Sequence, residues 1–374
     1  MFKKLLVSIS ITLCIMLSFG QVALANDTEM SKGAKLEGIY SFDEDSNISL
    51  VEETVTYNIR SYESKGSKAD VIVQYQLKNL TNEIKNVRMF YIISLLSEID
   101  KPEFHDSSKL NISDVLKVSF NGKDITENCI YREEAEMPDN WIPDYHHKMP
   151  YPIPEDKNFR YDVQNTYYKR AEGIEIPFTL REFEEGNLEI QYSSTSGYDQ
   201  EGYYKALTGY IFYLTPAKFL TGDSKLNLCV NFPQVGIYQF YSNIPMTKVS
   251  KNSYMISIDK LPSYEWSFSF FKKSAISFGT NNNILHTIYT FLTALAFFII
   301  MIIISVKLKK RWMKEAIRPL AYIISFLFFN LNTNVTYSGS IGYAIFLLIT
   351  AIFIPFIYLI RSIFRIRKFI NRKV

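Results

Sequence analysis

"ADVIVQYQLKN", residues 69–79, alternates with a period of two. Val71, Val73, Tyr75 and Leu77 share one side of an extended chain, and Gln74, Gln76 and Lys78 share the other. Successive side chains of a β-strand point to opposite faces, so this strand is apolar on one face and wet on the other. That is the signature of an antiparallel sheet packed on a core through one side. The rhythm recurs downstream. "GIEIPFTL" supplies Ile174, Ile176, Phe178 and Leu180; "NLEIQY" supplies Leu188, Ile190 and Tyr192; "KLNLCVNF" supplies Leu226, Leu228, Val230 and Phe232. Asn121-Gly122 in "LKVSFNGKDIT" is the strongest short hairpin signal, and "MTKVSKNSYMISID" reads as a second hairpin turning at Lys251-Asn252.

Strands are predicted near 50–60, 70–79, 86–96, 115–127, 173–181 and 187–193, and again near 203–215, 224–232, 236–250, 253–259 and 265–272. About a dozen short strands separated by turns, with no long amphipathic helix among them, predict an antiparallel β-sandwich. It is either one large domain or two packed sub-domains, 26–195 and 196–282.

The two ends of the chain differ from this middle. Lys3 and Lys4, an apolar run from Leu5 to Phe19 and the small-residue site Ala23-Leu24-Ala25 form a secretory signal peptide over 1–25. Cys14 follows Leu13 rather than a small residue, which argues against lipid attachment. From Ile284 to Val306 run 23 residues without a formal charge, about 34 Å as a helix against a hydrocarbon core of about 30 Å. "KLKKRWMKEAIRP" follows, then a second apolar stretch from Leu320 and a third from Ile341 to Ile360, and the chain closes on "RSIFRIRKFINRKV". Three spans are predicted, at about 284–306, 319–335 and 341–360, with Pro319 in the first turn of the second. Basic loops stay cytoplasmic. The expected arrangement is therefore a multi-pass protein of the cell membrane, with its large N-terminal domain outside and its C-terminus inside. Ser338 and Gly342, four apart, are candidate helix-packing positions.

Charge divides along the same lines. Residues 283–374 carry 12 Lys+Arg and one acid, and the signal carries two lysines. This leaves 41 − 12 − 2 = 27 basic and 38 − 1 = 37 acidic residues in 26–282, a net −10. An acidic ectodomain repels phosphate backbones, which excludes nucleic acid as a partner. Abundant Lys, Asn, Ile, Phe and Tyr, with little Gly, point to AT-rich codons and a bacterial source.

An insertion over 130–171 is too long for a connector and too apolar for a disordered one. Its Pro/aromatic stretch "PDNWIPDYHHKMPYPIPED" makes Trp141, Tyr145, His146, His147, Tyr151, Phe159 and Tyr161 candidate partner-binding residues. Aromatic side chains on a proline-stiffened loop suit protein hot spots and sugar stacking. A loop folded back over a sheet edge is the alternative.

Adjacent His146 and His147 point to opposite sides of an extended segment, and further zinc ligands would have to come from Asp139, Asp144 or His105. "SFDEDSNISLVEET" begins like a calcium loop at Asp43, Asp45 and Asn47 but has Ile48 and Thr54 where the loop requires Gly and Glu. No Gly-x-Ser-x-Gly elbow is present. No enzyme, cofactor or metal is therefore expected. Cys129 and Cys229 are a candidate disulfide, although Cys229 falls on the polar face of its strand.

The expectation is a non-enzymatic, membrane-anchored cell-surface protein that recognises or organises an extracellular protein or cell-wall glycan. The alternative is an accessory subunit of a membrane transport or signalling complex. In intact cells an impermeant thiol reagent is expected to reach a cysteine placed at Ser338 but not one placed at Lys310. Labelling at position 310 contradicts the three-span arrangement.

Overall fold

The computed structural model describes residues 31–32, 39–41, 47–63, 66–96, 111–136, 170–199, 203–214, 220, 224–262, 264–273 and 281–333. The chain divides into two compact units: Met30–Lys273, and Met1–Glu29 with Ser274–Val374.

The first unit is mainly β. Its largest sheet runs, edge to edge, through β15 (Thr247–Ser250), β16 (Ser253–Ile258), β13 (Lys225–Asn231), β3 (Ile48–Glu63), β4 (Gly66–Asn79), β10 (Glu185–Thr195), β6 (Leu116–Phe120) and β7 (Lys123–Asp124). A four-stranded sheet has the order β2 (Ile39–Ser41), β5 (Lys85–Leu96), β9 (Arg170–Leu180) and β8 (Ile130–Glu136). A five-stranded sheet has the order β1 (Ser31–Lys32), β11 (Gly197–Asp199), β12 (Leu207–Phe212), β17 (Trp266–Lys272) and β14 (Tyr238–Ser242). Among the described pairings only β13 with β3 is parallel.

The inward alternations expected from sequence are the core. Val71, Val73, Tyr75 and Leu77, with the sets on β9, β10 and β13, are all buried in one continuous cluster that draws on all three sheets. The four-stranded sheet meets the large one through Tyr91 on Tyr192 and Phe178 on Phe120, with ring centroids 4.9 and 5.0 Å apart. The five-stranded sheet meets it through Tyr57 of β3, which packs on Tyr210, Trp266 and Phe268 at 5.1, 5.6 and 5.1 Å. Such tilted and edge-on aromatic pairs add specific geometry to the area they bury.

Both expected hairpins form. Asn121 and Gly122 adopt φ +50° and +74°, the doubly left-handed turn that Asn-Gly accommodates. Ser250 pairs with Ser253 across the Lys251-Asn252 turn. Two expectations change. The strand predicted over 236–250 is two strands, β14 and β15, which belong to different sheets and part around Pro245, a residue that cannot donate to a ladder. The large sheet also joins β13, β15 and β16 to β3, β4 and β10, so strands from both sides of the 195/196 boundary share one sheet and one core.

In the second unit, α2 (Asn283–Lys307) is capped by the Asn282 side chain, which accepts from Leu285 N at 3.0 Å. Asn283–Ser305 is long and apolar enough to cross a membrane, and Ile288, Leu292, Ile300 and Ile303 on it are exposed. A break at Leu308–Lys310 leads into α3 (Arg311–Leu331), whose apolar part is the shorter stretch Leu320–Leu331. The helices pack through Ala294, Phe326 and Phe329, and Ser325 Oγ donates to Ala294 O at 3.3 Å. Instead of starting at Pro319, α3 passes through it. The short helix α1 (Ile112–Val115) belongs to the first unit. The expected span at 341–360, with Ser338 and Gly342, lies outside the described residues, as does the signal peptide.

One departure from alternation has an energetic consequence. A bulge between Leu50 and Glu52 reverses the parity of β3, so that Ile48 and Leu50 before it and Val55, Tyr57 and Ile59 after it all face inward. It also turns Glu53 into the core. Glu53 is fully buried, and neither carboxylate oxygen has a partner in hydrogen-bond geometry. Burial pushes its pKa from 4.5 up to about 8; the nearby Tyr75 hydroxyl moderates the rise, and the buried Glu265 adds to it. The fold thus holds a proton that the unfolded chain releases. The site is unstrained below pH 4.5 and costs stability progressively as pH rises towards 8. Glu53→Gln is therefore expected to leave stability at pH 4 unchanged and to raise it by about 3 kcal/mol or more at pH 9. Urea unfolding of residues 26–273 at both pH values checks this, and equal curves at pH 9 refute it.

Candidate functional site

The outer face of the large sheet is mainly polar, interrupted by Ile72, Cys229 and Met255. Adjacent strands lie about 4.8 Å apart, so long side chains reach across the ladder. Gln74 Nε2 donates to Glu189 Oε2 and Gln191 Nε2 to Glu189 Oε1, both at 2.7 Å. Gln76 Nε2 donates to Glu185. Asn227 Nδ2 donates to Glu52 Oε1 at 2.5 Å and Asn231 Nδ2 to Asn58 Oδ1 at 2.9 Å. These bonds leave carboxylate and carbonyl lone pairs facing out beside the remaining amide and lysine donors. The face therefore suits a polar ligand with hydroxyl or amide groups.

Towards one end the face deepens into a cleft of about 300 Å³, lined by Glu52, Thr54, Gln74, Gln76, Ser119, Gly122, Asn187 and Glu189. The Asn121–Gly122 turn lines it and is interlocked with two further turns. Asn79, fully buried at the end of β4, donates through Nδ2 to Glu83 O and Arg181 O at 2.7 and 2.8 Å and accepts from Thr81 N at 3.0 Å. Phe183 N donates to Thr81 O at 3.0 Å. Glu184 accepts from Arg181 N at 2.6 Å and from Asn121 Nδ2 at 3.1 Å, and Asn121 Oδ1 accepts from Asn187 N at 2.8 Å. Each donor and acceptor fixes one turn against another.

This scaffold presents apolar side chains to water. Leu80, Ile84 and Phe183 are 48%, 62% and 62% exposed. Phe183 sits at φ +53°, left-handed space that a bulky L-residue avoids. A strained, exposed aromatic on turns held by side-chain hydrogen bonds is the kind of outlier that points to a binding surface. Sequence alone gave little sign of it. Phe183 lies in "REFEEG", where flanking charges read as an ordinary solvated turn.

The expected partner-binding residues Trp141, Tyr145, His146, His147, Tyr151, Phe159 and Tyr161 lie outside the described residues. The roots of their insertion are described. Glu136 pairs with Arg170 where β8 meets β9, at the end of β9 away from Phe183. Arg132 bridges Glu175 and Arg170 bridges Glu134, each at 2.8 Å, and the Tyr131 hydroxyl donates to Glu172 at 2.5 Å. The insertion leaves the sheet from a charged, paired stem. Gly173 within that stem is required by packing, since a Cβ there would lie 2.2 Å from Tyr91 O.

The candidate disulfide is not formed. Cys129 belongs to the core and donates to Ile125 O at 3.7 Å, whereas Cys229 faces outward and donates to Asn231 Oδ1 at 3.6 Å. The sheet itself separates them. Burial, with Asp124 adding to it, pushes the Cys129 thiol up to about 11, and burial also raises Cys229. Neither is a poised nucleophile. Among the described residues no group of three or more His, Cys, Asp or Glu could hold a metal ion.

No protein-family model matches this sequence, and no curated protein matches it. Solved structures give distant likenesses. A candidate nutrient-binding protein from Legionella pneumophila superposes with a TM-score of 0.43 at 12% identity, over 80% of this chain and 86% of that one. An M1 zinc metallopeptidase from Deinococcus radiodurans gives 0.29 at 9% identity, over 60% of this chain and 42% of the enzyme.

If the Phe183 backbone is strained, Phe183→Gly is expected to raise stability by about 1 kcal/mol, since glycine adopts φ +53° without a Cβ clash. Chemical denaturation measures it. A loss of stability instead means that the ring contributes more by packing than its backbone costs.

Proposed function

We propose that the chain is a non-enzymatic, membrane-anchored surface protein that recognises an extracellular protein or cell-wall glycan. The observation that carries this reading is the amphiphilic end of the large sheet. A polar cleft of about 300 Å³ lies on the same end of the sheet as exposed Leu80, Ile84 and Phe183, whose turns are linked by Asn79, Asn121 and Glu184 to the Asn121–Gly122 turn that lines it. Pre-organised apolar contacts beside a lone-pair-rich polar floor suit a partner with both hydroxyl or amide donors and an apolar face. The aromatic insertion over 130–171 adds a second recognition element in this reading.

Anchoring is by three spans, with the sheets outside and the basic loops inside. The apolar helix Asn283–Ser305 supports it, as do the basic segments that flank the later apolar stretches. A tether needs only one span, so the packing of α2 on α3 through Ala294 and Ser325 favours a second reading. In that reading the membrane part pairs with a polytopic transport or signalling partner as an accessory subunit.

The test is retention of residues 26–273 on purified cell wall, with mild-detergent co-purification of the full chain alongside. Phe183→Ala with Ile84→Ser is expected to abolish retention with an unchanged melting temperature, because exposed anchors contribute to binding and little to the free fold. Trp141→Ala with Tyr145→Ala is expected to do the same if the insertion participates. Undiminished retention in both double variants refutes recognition at these surfaces. A co-purifying polytopic protein without wall retention selects the accessory-subunit reading.

A further inference from the structure

The other end of the large sheet carries a surface of different chemistry. Gly66 and Asn79 are the two ends of the 14-residue β4, about 43 Å apart at strand rise. At the Gly66 end the turn between β13 and β14 projects Val235 and Ile237, which are 79% and 59% exposed. Tyr238 donates from its hydroxyl to Val235 O at 3.2 Å, and Lys273 N donates to Ile237 O at 2.8 Å, so the turn is fixed to the last residues of β17. Asn252 holds the β15–β16 turn against it, donating from Nδ2 to Pro233 O and accepting at its carbonyl from Phe232 N at 2.8 Å. That contact adds exposed Val249 and Lys251 to the same end.

The turns at this end are basic. Segments 232–242, 247–252 and 269–273 contain Lys248, Lys251, Lys272 and Lys273 and no Asp or Glu, whereas residues 26–282 carry an excess of ten acids, one of which, Glu63, pairs with Gly66 in the adjoining β3–β4 hairpin. The Lys272 stem lies across Gly236, where an added Cβ would come within 3.0 Å of its Cε. Lys205 stands close by: burial, and then the charge of Lys272, lower its pKa. The chain leaves this end at Lys273 and enters the apolar helix at Asn283, so this is the end of the sheets to which the membrane-crossing segment is joined in sequence.

We propose that this end is a lipid-docking surface, with Val235 and Ile237 entering the headgroup region of an anionic bilayer and the lysines pairing with its phosphates. Branched aliphatic side chains projecting from a tight turn offer little groove to a protein, but they suit an interface that accepts any apolar tip. Lysine stems covering apolar surface, with ammonium groups at headgroup level, complete that chemistry.

The full chain, with Cys14, Cys129 and Cys229 replaced by Ser, is labelled with an environment-sensitive fluorophore at V235C, I237C or S257C. It is then reconstituted into phosphatidylcholine vesicles with or without phosphatidylglycerol. The probes at 235 and 237 are expected to shift to shorter wavelength in the anionic vesicles and to be quenched by brominated lipid. Replacing Lys248, Lys251, Lys272 and Lys273 by Gln should abolish both effects, and the probe at 257, on exposed polar β16 surface, should show neither. Either of the first two positions suffices, provided that its melting temperature matches the unlabelled parent. Water-like emission at both, an equal shift without anionic lipid, or a shift that brominated lipid does not quench each overturns the proposal. The last outcome identifies protein, including a second copy, as the occupant.

Discussion

The pairing of β3 with β4 is the interaction on which the β unit depends. It extends from Ile48↔Asn79 to Glu63↔Gly66 and occupies the middle of the eight-stranded sheet. Both smaller sheets pack on its inner side, the five-stranded one through Tyr57 and the four-stranded one through the cluster that includes Val71, Val73 and Leu77. A one-residue slip would send every inward side chain of β4 to water. The bulge at Val51 lets a 16-residue strand keep an apolar inner face despite its length, and the cost appears at Glu53.

Much of this was legible in the sequence because alternation is a local signal. Tyr75, Ile176, Leu188 and Leu228 each face the core as their neighbours' pattern implies, and Asn121-Gly122 turns where its backbone preference requires. Three features resisted reading for physical reasons. A bulge shifts parity without a residue type of its own, so Glu53 reads as one more charge in "VEETV". The parallel partnership of β13 and β3 is a long-range choice that no window of sequence contains. Phe183 carries its information in a backbone angle, and its side chain sits among charges that read as solvent. Of the site proposed from sequence, only the stem of the aromatic insertion falls among the described residues, and the expected disulfide is separated by the sheet between its thiols.

Polarity is unevenly distributed over the large sheet. Its outer face orders its own side chains through Gln–Glu and Asn–Glu bonds, which leave the carboxylates charged. The two ends of the same sheet then differ in sign and shape. One has a cleft with an acidic rim and a pre-set aromatic tip, and the other has aliphatic tips among lysines.

The parallel seam between β13 and β3 also sets an order of events during synthesis. Asn227 and Thr54, bonded across that seam, are 173 residues apart in the chain. At roughly 5–20 residues per second, β3 waits on the order of ten seconds or more for its second neighbour. Until then it is an edge strand in the nascent chain, with backbone groups open to any extended segment nearby. Antiparallel β4 protects the other side almost at once. The polar side chains Thr54, Thr56 and Asn58 along the waiting strand keep one of its faces unattractive to hydrophobic capture. Folding of this domain is therefore governed by the delay in closing its central sheet, and agents that shield exposed strands will act in that interval.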